Sequence, residues 1–557
     1  MPARPAPLLL ILVACATSRP AAAPPADPEA IAPGARAAAE GIHPQAISAH
    51  ISFLADDLLE GRGTGDRGHR VAAAYVASQL AGLGLEPAGT DGSWYQQFSL
   101  RAGRAGAALL EVGTTGGSNQ VLVQGKDFTA HAPLSTGLAD ITAPVVYVGH
   151  GIVAPEYQWD DLAGVDLRGK VALVLIGAPL GTGADFFPPI PSAVYGQARH
   201  KLEVLRARGV VGILLVHTPD REKVQPWARA LATADMESMA LLEDGRVPPS
   251  AELPFLTLST EATNAVLSAA GRSERVSDLV AAVTARKSRS FELGTRARMR
   301  IEAKLRTVTS MNVAGLWRAA SGSPLAGETV VYTAHLDHLG IGKPENGDAI
   351  FNGASDDAVG VGSLLEVAAA FTRLPARPKR SVLFLLVTAE EKGLLGSEWF
   401  VGHPTVPAAS LVADVNADSG LAVYPPREVL TVGAEESTLA DDVRRAAAAL
   451  GLGVGQDPEP KQAHAVRSDQ YNFLRHGIPG TTTGAGRGGA TEAELKAAEE
   501  FRRTRYHRVA DAWEPDRDYG PATTIARFQF LLGLAITERP TRPTFVPGSF
   551  FLPAAAR

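Results

Sequence analysis

From about Ala303 onward the chain alternates short apolar runs with segments of helical spacing. Strands are expected at Thr329–Thr333, Val382–Val387 and Leu411–Asp414, with a further one near Leu430–Val432. Helices are expected at Val361–Thr372, Gly393–Val401, Ala440–Leu450 and Tyr471–His476. This order predicts an α/β fold, a mainly parallel sheet with helices on both faces. In such sheets functional sites lie beyond the carboxyl ends of the strands. Upstream, Ile47, Ile51, Leu54 and Leu58 recur at helical spacing, and a second helix is expected from about His69 to Leu83. The glycine-rich loop between them, Glu60-Gly-Arg-Gly-Thr-Gly65, reads either as scaffold or as the border of a cleft.

Residues from about 128 to 290 follow another pattern. Strands are expected at Ala143–Val148, Val171–Ile176, Val211–Val216 and Phe255–Leu258, with one helix near Arg199 to Arg208. No Asp/Glu/His cluster stands at these strand ends. At 557 residues, two or three domains are expected. A 45% apolar and 20% charged composition is that of a folded soluble protein, and a net charge of −6 without a basic run argues against nucleic acid as a partner.

The only cysteine, Cys15, excludes disulfides within the chain. It follows a short basic head, Met1-Pro-Ala-Arg4, and an apolar run from Leu8 to Ala14 that is too short to span a bilayer. This reads as an export signal. Leu12-Val13-Ala14-Cys15 resembles the lipobox of bacterial lipoproteins, which implies lipidation of Cys15, membrane attachment and a place in the cell envelope. An ordinary signal peptide cut near Ala21 to Ala23 is the alternative and also predicts export. Residues 16 to 40 are rich in Ala and Pro and are expected to form a semi-extended tether.

Five segments carry candidate chemistry. His335-Leu-Asp337-His338 ends a strand, where a histidine can bind metal while the nearby aspartate orients its ring. Asn352-Gly-Ala-Ser-Asp356-Asp357 precedes a helix. One acid would suffice as a cap, so the second is left near a like charge unless a cation lies between them. Thr388-Ala-Glu390-Glu391 follows a strongly apolar strand, which suits one ligand and one general base. Asp414-Val-Asn-Ala-Asp418 follows a third strand, and Tyr506-His507-Arg-Val-Ala-Asp511 lies late in the chain.

In this order the five segments resemble the co-catalytic zinc aminopeptidases of peptidase family M28, over roughly residues 45 to 125 and 305 to 535. The stretch from Lys201 to Val216 resembles the protease-associated domain, a β-rich module inserted into several exopeptidase families. The implied layout is a signal at 1–15, a tether at 16–43, a peptidase domain at 44–127 and 291–540, the insert at 128–290, and a tail at 541–557. By motif, the resemblance implies that His335 and Asp418 hold one metal, that Glu391 and His507 hold the other, and that Asp356 bridges both. It implies Asp337 as the residue orienting His335, Glu390 as general base and Tyr506 as an aid to the oxyanion. Asp357 matches the partner of Asp356 in a strained peptide bond of the family. Arg467, in a segment near the family's substrate pocket, is a candidate substrate contact, and His338 is a departure that stands to compete with His335.

The implied cofactor is a pair of zinc ions, with cobalt or manganese as substitutes. The implied reaction is attack of a hydroxide, generated by the two metals, on peptides with a free N-terminus. Two other readings use the same fold: a one-zinc glutaminyl-peptide cyclotransferase and a non-catalytic binding protein. Side-chain preference and oligomeric state are not encoded in any motif.

Overall fold

The computed structural model describes residues 27–114, 119–179, 187–418 and 420–552. Cys15 and the export signal lie outside the described residues. Among these residues one sixteen-stranded mixed sheet runs through the molecule. One half is built on four parallel strands, in the order Gly480–Ala485, Leu411–Asn416, Thr329–His335, Ser381–Val387. All residues of Thr329–His335 and Ser381–Val387 are buried, as expected of strands covered on both faces. Val330, Tyr332 and Ala334 pack on one face against the helices Val359–Thr372 and Gly520–Glu538. Val331, Leu383 and Leu385 pack on the other, against Phe400 and Phe473. The two-residue period thus sorts each side chain to its layer.

Two long strands join this half to the insert. Tyr95–Gly113 pairs antiparallel along its whole length with the stretch from Arg296 to Val313 of Phe291–Trp317. The far end of Phe291–Trp317 pairs with Ser381–Val387, and its near end with Leu138–Tyr147 of the insert. The strand that opens at the expected boundary, residue 291, therefore pairs with both parts. The insert continues the sheet through parallel strands Val171–Leu175, Gly212–Val216 and Phe255–Leu258. It is less β-rich than expected, because six α-helices between Pro189 and Thr284 cover it.

The tether expected for 16–43 is also corrected within the described part. Ala35–Glu40 is a helix whose Ala35, Ala38 and Ala39 are buried in the main core, beside Ile31 and Ile42. Alanine has the highest helix propensity, and its methyl group lets helices approach closely. Among the described residues beyond Glu538 no helix forms, but their backbone pairs with Glu436 and Thr438, and Phe550 and Phe551 pack on the body. Among the described residues no helix is long and apolar enough to cross a membrane.

Candidate metal centre

The site forms where the parallel strands end. His335 is the last residue of Thr329–His335. Glu390 and Glu391 follow Ser381–Val387, and Asp418 follows Leu411–Asn416. Asp356 comes from the turn before the helix Val359–Thr372, and His507 from the segment after the helix Glu492–Arg505. Of these, His335, Asp356, Glu391, Asp418 and His507, five side chains scattered over more than 170 positions in the sequence, converge.

Asp356 lies between the two histidines. Its Oδ1 is 3.1 Å from His335 Nε2, and its Oδ2 is 3.0 Å from His507 Nε2. Asp418 Oδ1 is 3.8 Å from His335 Nε2, and Glu391 Oε1 is 3.4 Å from His507 Nε2. Two groups of three residues hold ligand atoms within 4.8 Å of one another: His335, Asp357 and Asp418, and His338, Asp356 and Glu391. Of these, Asp357 is otherwise engaged, since it accepts hydrogen bonds from His335 N and Gly360 N. The peptide bond between Asp356 and Asp357 is cis.

His338 does not crowd His335. It sits on the other side of Asp356, fully buried, with Nδ1 2.8 Å from Glu391 Oε1. Neither of its ring nitrogens makes a hydrogen bond, nor does Glu391 Oε1. Buried polar atoms left in this state are costly, and a cation at this point would satisfy Glu391.

The electrostatics agree. Burial opposes an imidazolium at His507, but Glu391 and Asp356 outweigh it and raise its pKa to about 10. Burial likewise opposes charge on His335, yet Glu390, Asp356 and Asp418 hold its pKa well above the usual value. Burial also pushes Glu390 and Asp357 far above the usual carboxylate range, and neighbouring acids push them further. Burial opposes charge on Asp356 and Glu391 too, but the histidines beside them hold both below the usual carboxylate range, so the site combines ionised acids with groups that take up protons to offset their charge. Divalent ions supply positive charge in place of those protons, and the His/Asp/Glu donor set is one that zinc accepts.

The remaining expected residues are placed as follows. Asp337 reaches His335 Nδ1 through its backbone carbonyl at 2.9 Å, whereas its carboxylate is 4.0 Å away. That carboxylate instead accepts from Thr64 Oγ1 at 2.7 Å and Glu390 N at 3.2 Å. The Tyr506 ring stacks on His507 at 3.9 Å, and its hydroxyl meets Arg467 Nη2 at 3.4 Å. Both Tyr506 and Arg467 therefore border the site.

Four supporting residues, Ser468, Asn416, Asp511 and Arg62, carried no signal of this role in the sequence. Ser468 Oγ donates to Asp418 Oδ2 at 2.5 Å, and Asn416 Nδ2 donates to Ser468 in turn. Asp511 accepts from Ser355 N and Oγ, which ties the His507 segment to the Asp356 turn. Arg62, in the glycine-rich loop, is buried and donates to the carbonyls of Leu54, Leu336, Asn352 and Gly353.

The fold and the sequence have known counterparts. The chain is similar in structure to an aminopeptidase from Aneurinibacillus sp. strain AM-1, with 17% identity, 92% of this chain and 98% of that chain covered, and a TM-score of 0.54. Weaker likenesses are a zinc aminopeptidase from Bacillus subtilis (17% identity, 89% and 96% covered, TM-score 0.44) and a Peptidase M28 precursor from Shewanella amazonensis SB2B (18%, 94% and 99%, 0.43). At these identities the first likeness speaks for the fold. The model of peptidase family M28 matches residues 312–529, a span that contains all five converging side chains. Residues 312–529 thus belong to peptidase family M28, and the chain that carries them is a peptide hydrolase.

Proposed function

We propose that the protein is an exported zinc aminopeptidase that removes N-terminal residues from peptides. The observation that carries this reading is the position of Asp356, with one carboxylate oxygen facing His335 and the other facing His507. His335, Asp356 and Asp418 would hold one zinc ion, and His507, Asp356 and Glu391 the other. Bound zinc would polarise the scissile carbonyl and lower the pKa of a water from 15.7 toward about 7.

The chain's own residues divide the remaining work. Glu390 belongs to neither ligand group, yet its charge is felt by His335, Asp418 and Glu391. It takes the proton of the attacking water and returns it to the leaving amine. The carboxylates at the floor of the site favour a substrate ammonium, which selects a free N-terminus. Tyr506, stacked on His507, would offer its hydroxyl to the carbonyl oxygen as charge develops there.

The test is release of amino acids from a panel of aminoacyl-p-nitroanilides with and without chelator. Hydrolysis that chelator abolishes and zinc restores is expected. Hydrolysis that persists in protein shown to be free of metal would end the proposal. A second expectation concerns Ser468. It fixes the carboxylate that would serve one ion only, so Ser468→Ala should weaken one of two zinc-binding events by about 10- to 100-fold. Calorimetric titration of the metal-free protein would show this, and two unchanged binding events would remove Ser468 from that role.

A further inference from the structure

The insert reaches the site with cations. Its helix Trp227–Thr233 brings the Arg229 guanidinium to 6.0 Å from the centre of the Tyr506 ring, the ring that stacks on His507. The preceding helix Pro219–Val224 carries Arg221, whose charge is disfavoured first by burial and then by the like charge of Arg467. Arg467 itself touches the Tyr506 hydroxyl. Two guanidiniums, one from each part of the chain, therefore meet at one tyrosine at the edge of the metal centre, and Arg221 lies close enough to Arg467 for their like charges to interact.

None of the three is neutralised. Among the described residues, Arg221 bonds the Gln225 amide oxygen, Arg467 bonds the Tyr506 hydroxyl, and Arg229 meets only the ring. Nearby acids are engaged elsewhere. Glu222 accepts from Trp227 N and lies 2.9 Å from His217, and Asp235 pairs with Lys343 at 2.5 Å. The Asp235 pair also fastens this part of the insert to the hairpin Gly340–Phe351, which follows His338 in the chain. Arg502, a further guanidinium over the same ring, lies 3.6 Å from Glu459.

Like charges held together without a counter-ion are unfavourable, and an anion relieves them. Guanidinium binds carboxylate with two parallel hydrogen bonds, a geometry other cations do not match. The wall also has a direction. Arginines repel a substrate's ammonium, whereas the acids of the metal centre attract it. A peptide is therefore oriented with its N-terminus at the acids and its next residue toward the arginines.

We propose that Arg221 and Arg229 of the insert, together with Arg467, form a carboxylate-binding wall that favours peptides bearing a carboxylate on the residue after the scissile bond. That carboxylate is the C-terminus of a dipeptide or an acidic side chain. The inference rests on the aminopeptidase reading and gives the insert a role in substrate choice.

The test compares kcat/KM for two matched pairs of substrates, on the zinc-loaded full chain. Leu-Ala against Leu-Ala-amide reports the terminal carboxylate. Leu-Glu-amide against Leu-Gln-amide reports the side chain. In wild type at least one pair should favour the carboxylate by about tenfold or more, and which pair does so identifies the source. In Arg221→Gln/Arg229→Gln that ratio should fall to about one, and Arg229→Lys alone should keep part of it. Raising the salt concentration should shrink the wild-type ratio. Cleavage without discrimination within either pair by wild type, or discrimination that survives in the double variant, overturns this inference and leaves the aminopeptidase reading standing. Failure of wild type to cleave any of the four overturns both.

Discussion

Glu390→Gln is expected to lower kcat by about 10²- to 10⁴-fold while zinc stays bound. Glutamine keeps the size of the side chain and its place in the cleft but cannot accept the proton of the attacking water. The variant should keep its metals because Glu390 is in neither ligand group. The neighbouring Glu391 faces elsewhere: the backbone turns at Ala389, where φ is 58°, and the Glu390 amide is fixed by Asp337 Oδ1 at 3.2 Å. Adjacent residues are thereby separated into one acid for the cations and one for the proton. The pH profile supplies a second readout. Burial raises the Glu390 pKa, Asp418 and Glu391 raise it further, and His335 opposes them. A base must be ionised to act, so kcat/KM should rise with pH through this ionisation, above the usual glutamate range if the bound ions leave part of the shift. In Glu390→Gln that acid limb should vanish. A variant with intact metal content and more than about a tenth of wild-type activity would exclude Glu390 as the base.

What the sequence disclosed and what it withheld divide along one physical line. His335, Glu390, Glu391 and Asp418 could be found because each follows an apolar run, and the end of a buried parallel strand is a fixed place in this kind of sheet. His507 has no such strand before it and was legible only through the ordered resemblance. The alternation from Thr295 to Glu302 is plain in the burial of Phe291–Trp317, yet a two-residue period identifies faces and not partners. It could not show that one strand of 27 residues serves both halves of the molecule. Ala35–Glu40 was hidden by its alanines and by the prolines before it, which read as linker until a core is present to receive small side chains. The contacts of Ser468 with Asp418 and of Arg229 with Tyr506 join residues far apart in the chain, and no local pattern encodes them.

Arg62 is the strongest case of such a contact, and Arg62→Met is expected to destabilise the protein by roughly 3–5 kcal/mol and to reduce activity more than tenfold. The side chain is buried, yet no carboxylate pairs with it directly. Its donors instead go to carbonyls: Nε to Leu336 at 3.0 Å, Nη1 to Leu54 and to Asn352 at 2.6 Å, Nη2 to Gly353 at 2.9 Å. Burial weighs against its charge, and Asp511, Asp357 and Asp356 act to restore it. The carbonyls belong to the residue after His335 and to the two residues that begin the Asp356 turn. One planar fork therefore sets the spacing between two segments that contribute ligands. Methionine fills a similar volume but withdraws the donors from the carbonyls of Leu54, Leu336 and Asn352 and leaves Gly353 with Ala358 N alone, which is where the loss of stability arises. Arg62→Lys should recover little, since a single ammonium cannot reach three directions from one plane. The checks are thermal unfolding, zinc content and kcat measured together. Both variants should melt at lower temperature and bind zinc less tightly. A methionine variant with unchanged melting and metal affinity would show that the strand ends hold the ligand spacing without this residue.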